Sequence, residues 1–226
     1  MNADSLSVSD ATLRAYERWA PLYPPVAHNP LMRAEEQAMK SVWPDVRGRR
    51  ALDLACGSGR YSRLLADTGA AEVVAVDFCL PMLLQVSTAQ RVCASMMRLP
   101  FRDGAFGTVI SGLAIGHAAG LQQWMSGVAR VLDVGGVLLY SDFHPEAARA
   151  GLTRSFKDEN DATCTVPHQV YGVASQREAA ESARLHIENV REICVGRELR
   201  EPFPGSEKFY REWDGLPIIL IVRACK

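Results

Sequence analysis

Apolar residues in this chain come in short runs closed by a glycine, a proline or an acidic residue. Between the runs they recur at helical spacing. The short runs predict strands at residues 50–55, 72–77, 91–94, 106–111, 136–142, 187–196 and 217–224. The helical spacing predicts helices over 12–19, 31–42, 60–66, 81–88, 122–131 and 176–183, with residues 1–10 frayed. Pro21, Pro24 and Pro25 break the chain after the first helix, Pro44 ends the second, and Pro81 suits a first helical turn. Strands alternating with helices at this spacing predict an α/β fold, a mostly parallel sheet covered on both faces.

The first strand carries Asp53 and runs through Leu54, Ala55 and Cys56 into Gly57-Ser58-Gly59. The second ends in Asp77, about 20 residues past that turn, where a carboxylate is placed to bind ribose hydroxyls. The chain therefore reads as a binder of a nucleoside-containing cofactor. Ser62 stands where a dinucleotide site needs its third glycine, and no phosphate-cradling G-x-x-x-x-G-K-[ST] occurs. Asp53 would repel a pyrophosphate and suits a cationic ligand.

The run from Asp53 to Gly59 resembles the first motif of class I S-adenosylmethionine-dependent methyltransferases, with Ala55 replacing the first glycine. The extra methyl should be tolerated if Ala55 has a negative φ. Leu99-Pro100-Phe101-Arg102-Asp103-Gly104-Ala105-Phe106 resembles the stretch before the family's fourth strand. Residues 128–138, with Gly135-Gly136, resemble the unit leading into the fifth. The resemblance implies a Rossmann-like, doubly wound sheet of seven strands with the last antiparallel. It also implies S-adenosylmethionine as cofactor. Asp53, Ala55, Gly57 and Gly59 would pack against its amino-acid part, Asp77 and Phe78 against its ribose. Ser95 stands where an aspartate usually reaches the adenine, so that contact falls to the Ser95 hydroxyl or the Met96 backbone; Gly107 is a second departure. Tyr16-Glu17-Arg18-Trp19-Ala20-Pro21-Leu22-Tyr23 is similar to the opening segment of small-molecule methyltransferases, which implies a helical lid with Tyr16 at the cofactor and Tyr23 at the acceptor.

The 226 residues, 48% of them hydrophobic, suffice for one such domain. We expect a lid over 1–45, a cofactor-binding core over 46–142, an acceptor-side insertion over 143–175 and completion of the sheet over 176–226. A net charge of −1 offers no basic field for nucleic acid and no polybasic patch for a membrane. No signal-peptide core and no apolar run of membrane-spanning length is seen. The six cysteines form no C-x-x-C and read as free thiols, which fits the cytoplasm.

Alternation on either side of Glu159-Asn160-Asp161 predicts a β-hairpin inserted after the fifth strand. Ligands of open α/β sheets bind at the carboxyl ends of strands, so the hairpin is expected to roof the acceptor. Arg154 and Phe156 are its candidate substrate contacts, Arg154 for an acidic group. Methyl transfer from a sulfonium needs the acceptor in line behind the methyl and, for many acceptors, a base. His144, His117 and His168, in that order, are the candidates. No metal-ligand spacing is present, and no metal is expected. The reading is a methyltransferase acting on an O, N or C nucleophile of a small molecule, similar to the group of quinone-ring and malonyl-carrier-protein methyltransferases. Carboxyl methylation of a carrier-protein-bound acid, which needs a guanidinium rather than a base, is one alternative. An inactive methyltransferase-like scaffold is another. A homodimer stays open.

Overall fold

The computed structural model describes residues 3–196 and 206–226, with side chains described from Asp10 onward and those of Ser206 and Phe209 left aside. Helix α1 (Ala3–Trp19) leads through a 3-10 turn, Ala20–Leu22, to α2 (Pro30–Ser41). Then follow β1 (Arg50–Leu54), α3 (Arg60–Asp67), β2 (Glu72–Asp77), α4 (Leu80–Leu83), β3 (Gln90–Cys93) and β4 (Phe106–Ser111). A 3-10 turn, Ile115–His117, precedes α5 (Leu121–Val131), β5 (Leu132–Phe143) and α6 (Pro145–Arg149). The chain ends with β6 (Ser155–Lys157), β7 (Thr163–Thr165), α7 (Val173–Ser182), β8 (His186–Cys194), α8 (Ser206–Trp213) and β9 (Pro217–Cys225).

Seven strands form one sheet in the order β3-β2-β1-β4-β5-β9-β8. β9 runs antiparallel to both its neighbours, and the other described pairings are parallel. This is the doubly wound, seven-stranded sheet that the sequence implied. Successive residues face opposite ways along a strand. Leu52 and Leu54 of β1, with Leu138 and Tyr140 of β5, join the core under α5 and α7; Ala51 and Leu139 join the core under α2 and α3. Trp124 of α5 is fully buried edge-on to Tyr140, whose hydroxyl donates to Gln176 on α7 (2.8 Å).

The predicted hairpin is present as β6 and β7, with Phe156 opposite Cys164. The differences lie at element ends. α1 starts at Ala3, not Thr12. α4 stops at Leu83, because Gln85 and Val86 bond back to Met82 and Leu83 in tight turns. β5 starts four residues early, where its register with β4 shifts between Phe106 and Thr108. α6 and α8 were not expected. α6 forms because Pro145 occupies its first turn and His144 caps it.

Candidate active site

A cavity of about 410 Å³ opens at the carboxyl ends of β1, β2, β4 and β5, under α1 and the base of the hairpin. One wall is the glycine turn. Gly57 and Gly59 have φ of 54° and 88°, and a Cβ on Gly59 would stand 2.9 Å from Val86. Ala55 also has a positive φ, 56°, so the condition under which its methyl would be tolerated freely is not met. The turn needs the left-handed geometry at this position whichever residue fills it. An alanine there carries about 1–2 kcal/mol of strain, partly offset by its stiffer unfolded chain, roughly 0.4–1 kcal/mol. Ala55→Gly should therefore leave stability unchanged or raise it by up to about 1.6 kcal/mol, measured by urea unfolding. A loss would mean that the methyl makes a contact worth more than the strain.

Asp77 closes the end of β2. Gly57 N–H donates to its Oδ2 and Cys79 N–H to its Oδ1, both at 2.8 Å. Burial raises its pKa while these backbone donors oppose the rise. Asp53 lies deeper, 1% exposed, and accepts from Ser62 Oγ at 2.6 Å. Ser62, which entered the sequence reading only as a missing glycine, thus holds Asp53. Burial pushes the Asp53 carboxyl up to about 7, against the Ser62 bonds and Arg60.

That shift has a sign. Between the unfolded pKa, near 4, and about 7, the folded protein holds a proton that the unfolded chain releases. Stability contributed at this group is therefore lost as pH rises through that window, by on the order of 1.4 kcal/mol per unit, and is level above it. Asp53→Asn should gain on the wild type from pH 4 to 7 in urea unfolding, then hold its lead. A pH-independent difference would place the carboxyl in an ordinary environment.

Phe78 and Met96 also line the cavity; Ser95 is exposed, turns its hydroxyl to Met97 N–H (3.2 Å), and does not. Tyr16 and Tyr23 both line it, with burial first and Tyr16 second pushing the Tyr23 hydroxyl up to about 12. Beside the glycine turn, Arg60 Nη2 stands 2.7 Å from Oε2 of the fully buried Glu35 of α2. Glu35 Oε1 accepts from Tyr61 (2.7 Å) and Ser141 (2.5 Å). None of these four was singled out in the sequence. Glu35 could have been: it shares the buried face of α2 with Ala34, Ala38 and Met39.

The three histidines separate. His144, the first choice as base, does not line the cavity. Its Nδ1 accepts from Glu146 N–H (3.2 Å) as the cap of α6, and its Nε2 stands 3.3 Å from Glu192. His168 does not line it either; it packs 6.0 Å from Phe143. His117 does line it, with Nε2 2.9 Å from both the Tyr16 hydroxyl and Arg154 Nη1. Burial first, then Arg154, holds its pKa well below the usual imidazole value. Arg154 lines the cavity from the base of the hairpin. Phe156 does not; it stacks on Trp19 (4.6 Å, 7° between planes) and clasps the hairpin to α1. Arg18 with Asp158, and Thr12 with Pro167, join the same two elements. Asp142 is buried at the tip of β5 with its carboxyl pushed up to about 7 by burial, against Arg154.

Residues 52–140 match a methyltransferase-domain family. The chain is 34% identical to a malonyl-[acyl-carrier protein] O-methyltransferase of Enterobacter lignolyticus over 62% of this chain and 58% of that one. It is 35% identical to a demethylmenaquinone methyltransferase of Corynebacterium urealyticum over 42% of each. The chain spans about half the length of the curated relatives it matches. Its fold matches an S-adenosylmethionine dependent methyltransferase of Mesorhizobium loti with a TM-score of 0.66 at 22% identity, over 85% of this chain and 98% of that one. By its strand order and glycine turn the chain has the fold of the class I S-adenosylmethionine-dependent methyltransferases, and its residues 52–140 match a methyltransferase-domain family.

Proposed function

We propose that this protein transfers the methyl of S-adenosylmethionine to an O, N or C nucleophile of a small molecule held between the lid helix and the hairpin, as a biosynthetic enzyme of the cytoplasm. Bound S-adenosylmethionine supplies a sulfonium methyl open to in-line attack. The observation that carries the reading is Asp77, fixed by two backbone donors at the cavity wall with lone pairs remaining for a ribose diol. Ala55, Gly57, Gly59, Phe78 and Met96 complete that wall, while the exposed Ser95 leaves the adenine contact to Met96. Intact glycine-turn geometry speaks against an inactive scaffold. No described helix is long and apolar enough to cross a membrane.

Histidine assistance narrows to His117, the member of the three that lines the cavity. Its Nε2 faces a guanidinium that cannot give up its proton, so it serves as a hydrogen-bond acceptor rather than as a base. A second reading, a carrier-protein-bound acid as acceptor, is favoured by Arg154, a buried cation on the cavity wall. The test is calorimetric titration with S-adenosylmethionine and S-adenosylhomocysteine. Micromolar binding of both is expected, and binding of neither would sink the proposal.

A further inference from the structure

We propose that Arg154 determines acceptor specificity, that the acceptor carries a carboxylate recognised by the Nε–Nη2 edge of this guanidinium, and that His117 is a positioning residue for it. The inference rests on the methyltransferase reading above.

Arg154 is 7% exposed and lies over the Phe143 ring, 4.8 Å from its centroid. One end of the guanidinium is fully engaged. Nη1 meets the Leu113 carbonyl at 2.6 Å, His117 Nε2 at 2.9 Å and the Tyr16 hydroxyl at 3.2 Å. The other edge is not: Nε and Nη2 are buried without a hydrogen-bond partner. These two N–H groups lie side by side, the pair whose spacing matches two carboxylate oxygens.

The charge is unmatched as well. Among the described residues no carboxylate lies within ion-pairing distance of Arg154, and Asp142, the acidic neighbour that feels it, makes no such pair. Arg60, on the opposite wall, has Glu35 and Glu36. A buried guanidinium keeps its proton, and an unpaired buried charge is costly unless an anion joins it. The single unpaired charge of Arg154, among the cavity-lining Trp19, Tyr23, Phe143 and Leu152, suits a monoanion better than a phosphate dianion.

The engaged end is held with some strain. Leu113 has a φ of 54°, an uncommon value for a residue with a side chain. Its N–H is fixed on Ser141 Oγ at 2.9 Å, and its carbonyl is thereby turned to Arg154. Since Arg154 has donors alone, His117 Nε2 must be the acceptor in their contact. A proton on Nε2 would break that contact, so the neutral ring with its proton on Nδ1 is what orients the guanidinium.

The test uses the protein saturated with S-adenosylhomocysteine, titrated calorimetrically with phenylacetate, phenylacetamide, glutarate, glutaramide and phenyl phosphate. At least one carboxylate should bind tenfold or more tightly than its amide. Arg154→Gln should abolish that preference while binding S-adenosylhomocysteine within twofold of wild type. Should Arg154→Gln fail to fold, Arg154→Lys, which keeps the charge and loses the fork, should cut the preference at least threefold. His117→Gln, whose amide oxygen can still accept from Nη1, should retain the preference, and His117→Phe should lose at least threefold of it. Equal binding of acids and amides, no binding of either, tighter binding of phenyl phosphate, or an unchanged preference in the Arg154 variants would each overturn the inference. Loss of S-adenosylhomocysteine binding by the wild type would instead fail the methyltransferase reading itself.

Discussion

Asp77→Ala should weaken S-adenosylmethionine and S-adenosylhomocysteine at least tenfold, about 1.4 kcal/mol, in calorimetric titration. The Asp77 side chain does two things at once. It receives Gly57 and Cys79 N–H groups, which fix its rotamer, and it keeps lone pairs for two hydroxyls. Hydrogen bonds to a charged group are worth roughly 1.5–3 kcal/mol each, so losing two in full would exceed a hundredfold, and tenfold is the floor. Asp77→Asn should be nearly as damaging. An amide has one accepting atom, so it would turn an NH2 either toward a backbone N–H or toward the ligand. Gly57 N–H also belongs to the glycine turn, and its loss of a partner adds a local cost. Binding of Asp77→Ala within twofold of wild type would place the cofactor elsewhere.

The central strands were legible because burial on both faces leaves near-continuous apolar runs that glycine and acidic residues interrupt. β1 and β2 could be placed to within a residue on that ground, and the hairpin could be placed by alternation around Glu159-Asn160-Asp161. The glycine-turn side of the cavity follows the strands, since Asp53 and Asp77 sit at fixed positions along them. The side under the hairpin does not. His144 and His117 both follow a strand directly, yet one turns away to cap α6 and the other faces the cavity. Their directions depend on loop dihedrals that no periodicity encodes. Pro145, which suits a first helical turn, was a signal for a helix start after His144 that the sequence reading passed over. Ala55 misled for a related reason: the turn imposes its backbone geometry, and the residue bears the strain. Ser62, Arg60 and Glu35 were missed because their partners lie on other elements, at separations that local pattern does not reach.

Glu35→Ala should destabilise the protein by about 3–5 kcal/mol, the range seen when one member of a buried ion pair is removed. Glu35 is fully buried, and the Arg60 side chain is 10% exposed. Without the carboxylate, Arg60 keeps Glu36 at 3.5 Å as its acidic partner, and the Tyr61 and Ser141 hydroxyls lose their acceptor. These partners come from α3 and β5, so a single side chain of α2 fastens the N-terminal segment to the helix that follows the glycine turn and to the central strand β5. Glu35→Gln keeps an acceptor for both hydroxyls and loses the charge, so its deficit should be smaller. Urea unfolding at neutral pH separates the three proteins. Raising the salt to 1 M should leave their order unchanged, because a pair this deep is poorly screened. A deficit for Glu35→Ala below about 1 kcal/mol would be the size of an exposed ion pair. It would mean that apolar packing alone, through Ala38 and Met39, docks α2 on the sheet.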